Sequence, residues 1–452
     1  MNIIIAGDGM VGSTLARQLC AEGHDVTLVD CDNRVLEKSV ETFDAMGICG
    51  NCASMDTLVQ AGVKDAELLI AVTNSDEVNL LCCTVSHGLN RELHAIARIR
   101  NPEYTEQAYR FPEIFGLSMV INPDRRAALE IERLLQYPGF LKRDSFAGGR
   151  TEIVELRITP DSKLCNVTLI DLPNIVKCKV LVCAVLRDGR CITPRGDFVL
   201  KEGDRIFVTA PTENLATLLR NLGIIRRRVR RCLICGGSRV AYHLARLLCD
   251  NKIAVTIIEQ DLDRCMSLTN QLPDVNVIHG DGNDQQLLES EGLANIDALV
   301  SLTGSDEMNM IISLYAQTRN VPQVITKLRR VDNREIIDAL SLGSVISPKE
   351  MCSNIIARYV RAMQNQVGAA VSVHSIADGQ AEASEFVVDG STRHCNTPLK
   401  DIKLKPGVLL VSITRGTRTE IPGGMSTFRK GDTVVVVTSR ENVLYQLNDI
   451  FA

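Results

Sequence analysis

Three glycines near the N-terminus have the spacing to cradle a pyrophosphate. In "IIIAGDGMVGSTLA", Gly7, Gly9 and Gly12 fill the pattern GxGxxG, with Asp8, Met10 and Val11 between them. The first would permit a tight turn, the second would let backbone approach the phosphates, and the third would let a helix pack closely on a strand. Asp30 follows about 20 residues on, where a carboxylate accepts hydrogen bonds from ribose hydroxyls and repels a 2′-phosphate. The combination predicts NAD or an adenine nucleotide rather than NADP. Asp8 opposes it, adding like charge beside the phosphates unless its side chain points away.

A second, altered copy lies mid-chain in "RCLICGGSRVAYHLARLL", where the loop reads Gly236, Gly237, Ser238, Arg239, Val240, Ala241. Ser238 places a side chain where backbone should meet the pyrophosphate. Ala241 is tolerable at the packing position, Arg239 could restore charge, and Glu259 holds the ribose position. Weaker or altered nucleotide binding with a retained fold is expected there; a loop kept for packing alone fits equally well.

Each loop needs a strand before it and a helix after it, and the chain supplies that setting twice. Gly7 and Gly236 stand 229 residues apart, as do Asp30 and Glu259, while Thr73 in "TNSDEVN" and Thr303 in "TGSDEMN" stand 230 apart. Cys165-Asn166 recurs as Cys395-Asn396, and Gly203-Asp204 as Gly431-Asp432. The whole chain is a tandem duplication.

Within each half, short β-rich runs ("NIIIA", "DVTLVD", "LLIAV", "HAIARI") alternate with helical stretches as far as about Val120. That is the pattern of a parallel sheet covered on both faces. A helical stretch, "DRRAALEIERLLQY", leads out and stops at Pro138-Gly139. Beyond Thr151, "EIVELRI", "VLVCAVLRDGRCITP" and "RIFVTA" read as strands of a small α+β unit, with Asp188-Gly189 as one hairpin turn and Glu202-Gly203-Asp204 as another. Length alone suggests about three domains; the repeat makes them four. The expected fold is α/β, two tandem modules, each a Rossmann-like doubly wound parallel sheet followed by a small α+β lobe. The boundaries are residues 1–124, 140–225, 230–350 and 368–452.

Composition excludes several classes. A net charge of −5 over 452 residues argues for neither nucleic acid nor an acidic ligand as the main partner, and no nucleic-acid partner is expected. The 16 cysteines are scattered through apolar segments, which fits free buried thiols in a reducing compartment. Cys49 with Cys52 and Cys232 with Cys235 have CxxC spacing but lack a second ligand pair for zinc. No apolar run reaches the roughly 18–20 residues that span a bilayer, and the five-residue apolar start lacks a basic flank, so neither a membrane span nor a secretory leader is expected. The arginines at 226, 227, 228, 230 and 231 are either a basic patch for phospholipid or an acidic partner, or a solvated linker. A dehydrogenase needs a proton donor or acceptor near the nicotinamide. The seven histidines form no recurring cluster, and the small lobes carry no evident acid/base pair, so the chain is expected not to be an enzyme.

The "GDGMVG" loop with Asp30, "AGVKDAELLIAVTNSDEVN", "ARIRNP", and small lobes ending in "KEGDRIFVTA" and "RKGDTVVVVTS" together closely resemble the regulatory subunits of bacterial Trk potassium-uptake systems. The likeness covers essentially the whole chain. It implies two tandem RCK (KTN) modules that assemble as a homotetrameric ring, cytoplasmic and peripheral on the inner face of the cell membrane. The ring's partner would be a separate potassium-conducting membrane subunit. NAD(H), or ATP or ADP, would shift the ring's shape from the N-lobes. The pocket implied for this chain comprises Gly7 to Gly12, Asp30, Asn51-Cys52 and Thr73-Asn74, with Arg98 and Arg100 as phosphate candidates. Gly236, Ser238, Arg239, Glu259, Asp281 and Thr303 form the corresponding set in the second copy. For the arginines a plainer alternative is an exposed alternation along a strand. Asp76-Glu77 are expected at a helix N-terminus, complementing its dipole. Two rival functions stand beside this one, an NAD-dependent oxidoreductase and a nucleotide-sensing adaptor of another transporter.

Overall fold

Strands β1 (Asn2–Ala6), β2 (Asp25–Asp30), β3 (Ala45–Cys49), β4 (Leu68–Ala71), β5 (His94–Arg98) and β6 (Met119–Ile121) form the first sheet of the computed structural model, all parallel. The structure describes residues 1–136, 140–222, 229–329, 337, 340, 342–363, 370–439, 442, 444 and 446–452. "IIIA" and "LLIA" are apolar throughout because β1 and β4 are covered on both faces and their side chains are wholly buried. The edge strand β3, "AMGIC", leaves Met46 exposed. The order β3-β2-β1-β4-β5-β6 places the direction change of the winding between β1 and β4, where open α/β sheets bind ligands. Ala6 pairs with both Val29 and Ala71, so the loops leaving β1 and β4 start side by side.

The second module repeats this with β12 (Arg231–Cys235), β13 (Ala254–Glu259), β14 (Asn276–His279), β15 (Ala298–Ser301), β16 (Gln323–Lys327) and β17 (Ser344–Ile346), in the order β14-β13-β12-β15-β16-β17. Cys232 and Cys235 are both buried within β12, and burial pushes the Cys235 thiol up to about 12. Of the arginine run, 226–228 lie outside the described residues; the backbone N–H groups of Arg230 and Arg231 donate to the Asp297 carboxylate at 2.8 and 3.0 Å.

The small lobes are antiparallel. The first contains β7 (Lys142–Phe146), β8 (Thr151–Arg157), β9 (Leu181–Arg187), β10 (Arg190–Ile192) and β11 (Arg205–Pro211), in the order β10-β9-β11-β8-β7. The second contains β18 (Ala370–Ile376), β19 (Ala381–Val387), β20 (Val408–Arg415), β21 (Arg418–Glu420) and β22 (Thr433–Ser439) in the matching order β18-β19-β22-β20-β21. Asp188-Gly189 does turn a hairpin, with both residues at positive φ as a two-residue turn of that type requires. Glu202-Gly203-Asp204 does not. It is a turn feeding β11, whose neighbours are β8 and β9; the residues before it pair with the segment around Val167 through an isolated bridge, Thr168 to Val199, and not with β11. Asp204 fixes that turn by accepting from Lys201 N at 2.8 Å and from both Nε and an NH2 of Arg187 at 2.7 Å. Arg415 and Asp432 repeat the pair in the second lobe.

By packing, the chain divides into one compact unit of Met1–Ala128 with Ser347–Tyr359, and another of Leu129–Ile346 with Val360–Ala452. The second unit contains both small lobes, and these share a core: Phe146, Cys183 and Phe207 pack in one cluster with Ile376, Ala383, Val435 and Val437. No helix among the described residues is long and apolar enough to cross a membrane.

Candidate functional site

At the carboxyl ends of β1, β2 and β4 the chain builds a tight junction. Gly7 turns there at φ 102°, and a Cβ on it would meet Thr73 Cα at 2.9 Å, so the close approach of the two loops demands glycine. Gly12 packs under the same turn, where a Cβ would lie 1.8 Å from Gly7 O. Gly9 differs from both. Its backbone is extended, and a Cβ built on it meets nothing within 4 Å.

Helix Met10–Ala21 starts on Gly9 with no side-chain cap, which leaves its first N–H groups without an internal partner. Together with the helix dipole, these form an anion-binding end beside open space. Met10 is exposed, while Val11 and Gly12 are buried against the sheet. Asp30, at the end of β2, accepts Asp8 N on Oδ2 at 2.7 Å and Asp32 N on Oδ1 at 3.0 Å. The carboxylate expected to meet a ribose therefore also pins the glycine loop, a second task that motif reading misses. Gly50 N donates to Asp30 O at 2.9 Å, bringing the exposed Asn51 to the same rim. Cys52 turns away: its side chain is buried in the core with Ala6, Val29 and Cys82, since an apolar thiol at this turn gains more from packing than from the rim. It can offer the site only backbone.

The "TNSDEVN" segment forms the facing wall. Thr73 and Asn74 sit on its rim, Ser75 caps helix Asp76–Leu89, and Asp76 and Glu77 occupy the first turn as expected from the dipole. Asp76 does more, accepting the backbone N–H groups of Arg100 and Asn101 at 2.8 and 2.7 Å. Arg98 and Arg100, the phosphate candidates, do not follow the alternative of an exposed alternation along the strand. Arg98 is 9% exposed and donates to Thr73 O and to Asn74 Oδ1, and Arg100 donates to Asn74 O at 2.5 Å. Both guanidiniums hold the loop in place through the carbonyls of Thr73 and Asn74. Sequence reading also missed Asn79. Fully buried, it accepts Thr73 N at 2.8 Å and donates to Arg98 O at 2.8 Å, tying loop to strand. The signal was present in the final Asn that "TNSDEVN" shares with "TGSDEMN", since Asn309 makes the same bonds to Thr303 and Lys327.

In the second module Gly236 repeats the turn of Gly7 against Thr303, and Glu259 accepts Gly237 N at 2.5 Å and Asp261 N at 2.9 Å. Ser238 changes the outcome. Its Oγ accepts from Ala241 N at 3.4 Å, so helix Arg239–Asp250 caps itself where the first helix stays open. Arg239 is exposed at the helix start, and Arg264 Nε donates to Gly237 O at 2.7 Å across the loop. Asp281 is exposed and closes a local turn onto Asn283 N. The first module's loop leaves an uncapped helix start open beside the Asp30 carboxylate, whereas the second module's loop satisfies itself.

Comparison with known proteins agrees with this layout. The TrkA-N domain family model matches residues 3–123 and 232–348, and the TrkA-C domain model matches residues 153–223 and 383–451. The Trk system potassium uptake protein TrkA of Haemophilus influenzae is 30% identical, covering 100% of this chain and 98% of its own. That of Halomonas elongata is 32% identical over 96% of this chain and 95% of its own. Among solved structures, the GsuK RCK domain superposes with a TM-score of 0.63 at 17% identity over 97% of this chain and 92% of that one. The GsuK channel bound to NAD superposes with 0.61 at 17% identity, over 97% and 77%. These last two likenesses are of fold.

Proposed function

This chain belongs to the TrkA family, and we propose that it is the nucleotide-sensing, non-enzymatic regulatory subunit of a potassium transport system. The observation that carries the nucleotide part is the uncapped helix end at Gly9, open to an anion beside Asp30 and Thr73. NAD(H), ATP or ADP supplies the anion, and this chain's residues supply the differential contacts: helix N–H groups to the pyrophosphate, Asp30 to the ribose, Asn51 and Thr73-Asn74 to the rim. The transport part is supported by family membership and by the names of the full-length relatives. The subunit would act as a homotetrameric ring on the cytoplasmic face of a potassium-conducting membrane partner.

A bound nucleotide shifts such a ring only by its unequal affinity for two shapes. A coupling of about 1–3 kcal/mol changes partner activity by about 5- to 150-fold. Potassium flux in proteoliposomes containing the membrane subunit and this chain tests the proposal, with NADH, NAD, ATP and ADP added in turn. At least one nucleotide should change flux several-fold. Indifference to all four leaves a scaffold, and steady consumption of NADH with a metabolite returns the oxidoreductase.

Asp30→Ala should weaken NADH binding by about 1–3 kcal/mol, the cost of leaving ribose hydroxyls unpaired in a site shaped to receive them. Since Asp30 also holds Asp8 N, Asp30→Asn, which keeps an acceptor, should lose less than Asp30→Ala. Calorimetric titration decides, and normal binding by the alanine variant ends the ribose assignment.

A further inference from the structure

The second residue of the first glycine loop is an acid with nowhere to go. Asp8 is 2% exposed, and neither of its carboxylate oxygens has a hydrogen-bond partner among the described residues. Its backbone N–H donates to Asp30 Oδ2 at 2.7 Å, which holds the main chain of the loop beside that carboxylate. The groups that face it are the Asp30 carboxylate on β2 and the Ser39 hydroxyl on helix Asn33–Thr42. Burial pushes its titration up to about 6, the Ser39 hydroxyl tempers this without completing a hydrogen bond, and the Asp30 charge adds to it.

The second module shows what the loop looks like without this device. Gly237 stands where Asp8 does and Leu268 where Ser39 does, each 229 residues on. A Cβ on Gly237 would lie 2.7 Å from Leu268 Cδ1 and 2.9 Å from Glu259 Oε2, so no acid fits there. The carboxyl and its hydroxyl neighbour occur together in one copy and are lost together in the other. The glycine fold needs neither, and the pair is a property of the first site.

We propose that Asp8 makes nucleotide binding at the first module proton-linked: entry of a pyrophosphate drives a proton from solvent onto the Asp8 carboxyl, so pH sets the affinity. The inference rests on the nucleotide reading above. Its physical basis is that two negative groups cannot share a water-poor loop at low cost, and a carboxylate that takes up one proton removes the repulsion. The sign follows. The ligand raises the proton affinity of Asp8 further, so the protonated, tighter-binding form dominates below the free value of about 6 and affinity falls as pH rises through the bound value. A single linked proton gives at most about a tenfold change in affinity per pH unit.

The test is calorimetric titration of the full chain with NAD+, whose pyrophosphate does not itself titrate near neutrality, between about pH 6 and about pH 8 in buffers of different ionisation enthalpy. Wild type should take up a fraction of a proton on binding, and its affinity should fall with rising pH. Asp8→Gly, the residue the second loop carries, should bind NAD+ with a nearly flat pH profile and no uptake. Asp8→Gly with Ser39→Leu recreates the second module's pair and should behave likewise if the single variant is unstable. Binding without uptake in wild type overturns the inference alone, as does uptake that survives in Asp8→Gly. Failure of both proteins to bind NAD+ removes the nucleotide reading and the inference with it.

Discussion

Arg205→Ala is expected to cost the small lobes about 3–5 kcal/mol of stability, the usual result of removing one partner from a buried ion pair. Arg205 on β11 donates Nε to Glu155 Oε1 at 2.5 Å, and its two terminal nitrogens donate to Asp378 at 2.6 and 3.1 Å. Asp378 belongs to the second small lobe, so one guanidinium joins β8 and β11 of the first lobe to the turn after β18. Burial raises the Glu155 carboxyl above the ordinary range while the Arg205 charge works against it; without Arg205, Lys142 is a weaker substitute. Glu155 is 4% exposed, so the solvent cannot take over.

The sign with pH is fixed by that direction. A carboxyl whose folded value lies above its unfolded one contributes fully at low pH and loses its contribution as pH rises through the folded value. In the variant that value climbs further, and the deficit should widen between about pH 5 and about pH 8. Urea unfolding at both pH values measures it. A shift below about 1 kcal/mol would mean that the pair is exchanged for water with little loss, and a larger shift equal at both pH values would mean that the Glu155 charge does not carry it.

The large lobes were legible because their signals are local. Apolar runs of four or five residues, glycines at fixed offsets and a helix after each strand leave little freedom, and both six-stranded sheets have the same order. Where reading failed, the determinant lay far off in the chain. β7, "KRDSF", carries three charged residues in five and no apolar alternation; it is a strand because it pairs with β8 along a half-buried edge. The turn at Gly203 resembles a hairpin turn locally, but β11 takes its partners from residues 151–157 and 181–187. The common core of the small lobes has no sequence signature at all, since apolar strand faces do not announce what they will cover. At the site, the motif located Gly7, Gly9, Gly12 and Asp30. It could not show that Arg98 and Cys52 face inward, because a strand end and a turn permit either direction.

The two loops differ most sharply in what a bulky residue would do to each. Gly9→Leu should weaken nucleotide binding at the first module by about a hundredfold or more, equivalent to about 2.7 kcal/mol, with the fold unchanged. The fold is spared because Gly9 has extended backbone angles that any residue adopts and because a Cβ there meets no atom within 4 Å. Binding is lost because that same open volume is where the pyrophosphate must approach the uncapped N–H groups, and a branched side chain both fills it and desolvates those donors without satisfying them. Ser238→Leu probes the other copy. Its hydroxyl already satisfies Ala241 N, so this substitution should cost about 0.5–2 kcal/mol of helix stability through loss of the cap and leave nucleotide affinity nearly unchanged. Titration of the full chain should accordingly find one strong site, erased by Gly9→Leu and retained in Ser238→Leu. Two equal sites in wild type would show that a serine cap yields readily to phosphate, and full binding by Gly9→Leu would place the nucleotide somewhere other than this loop.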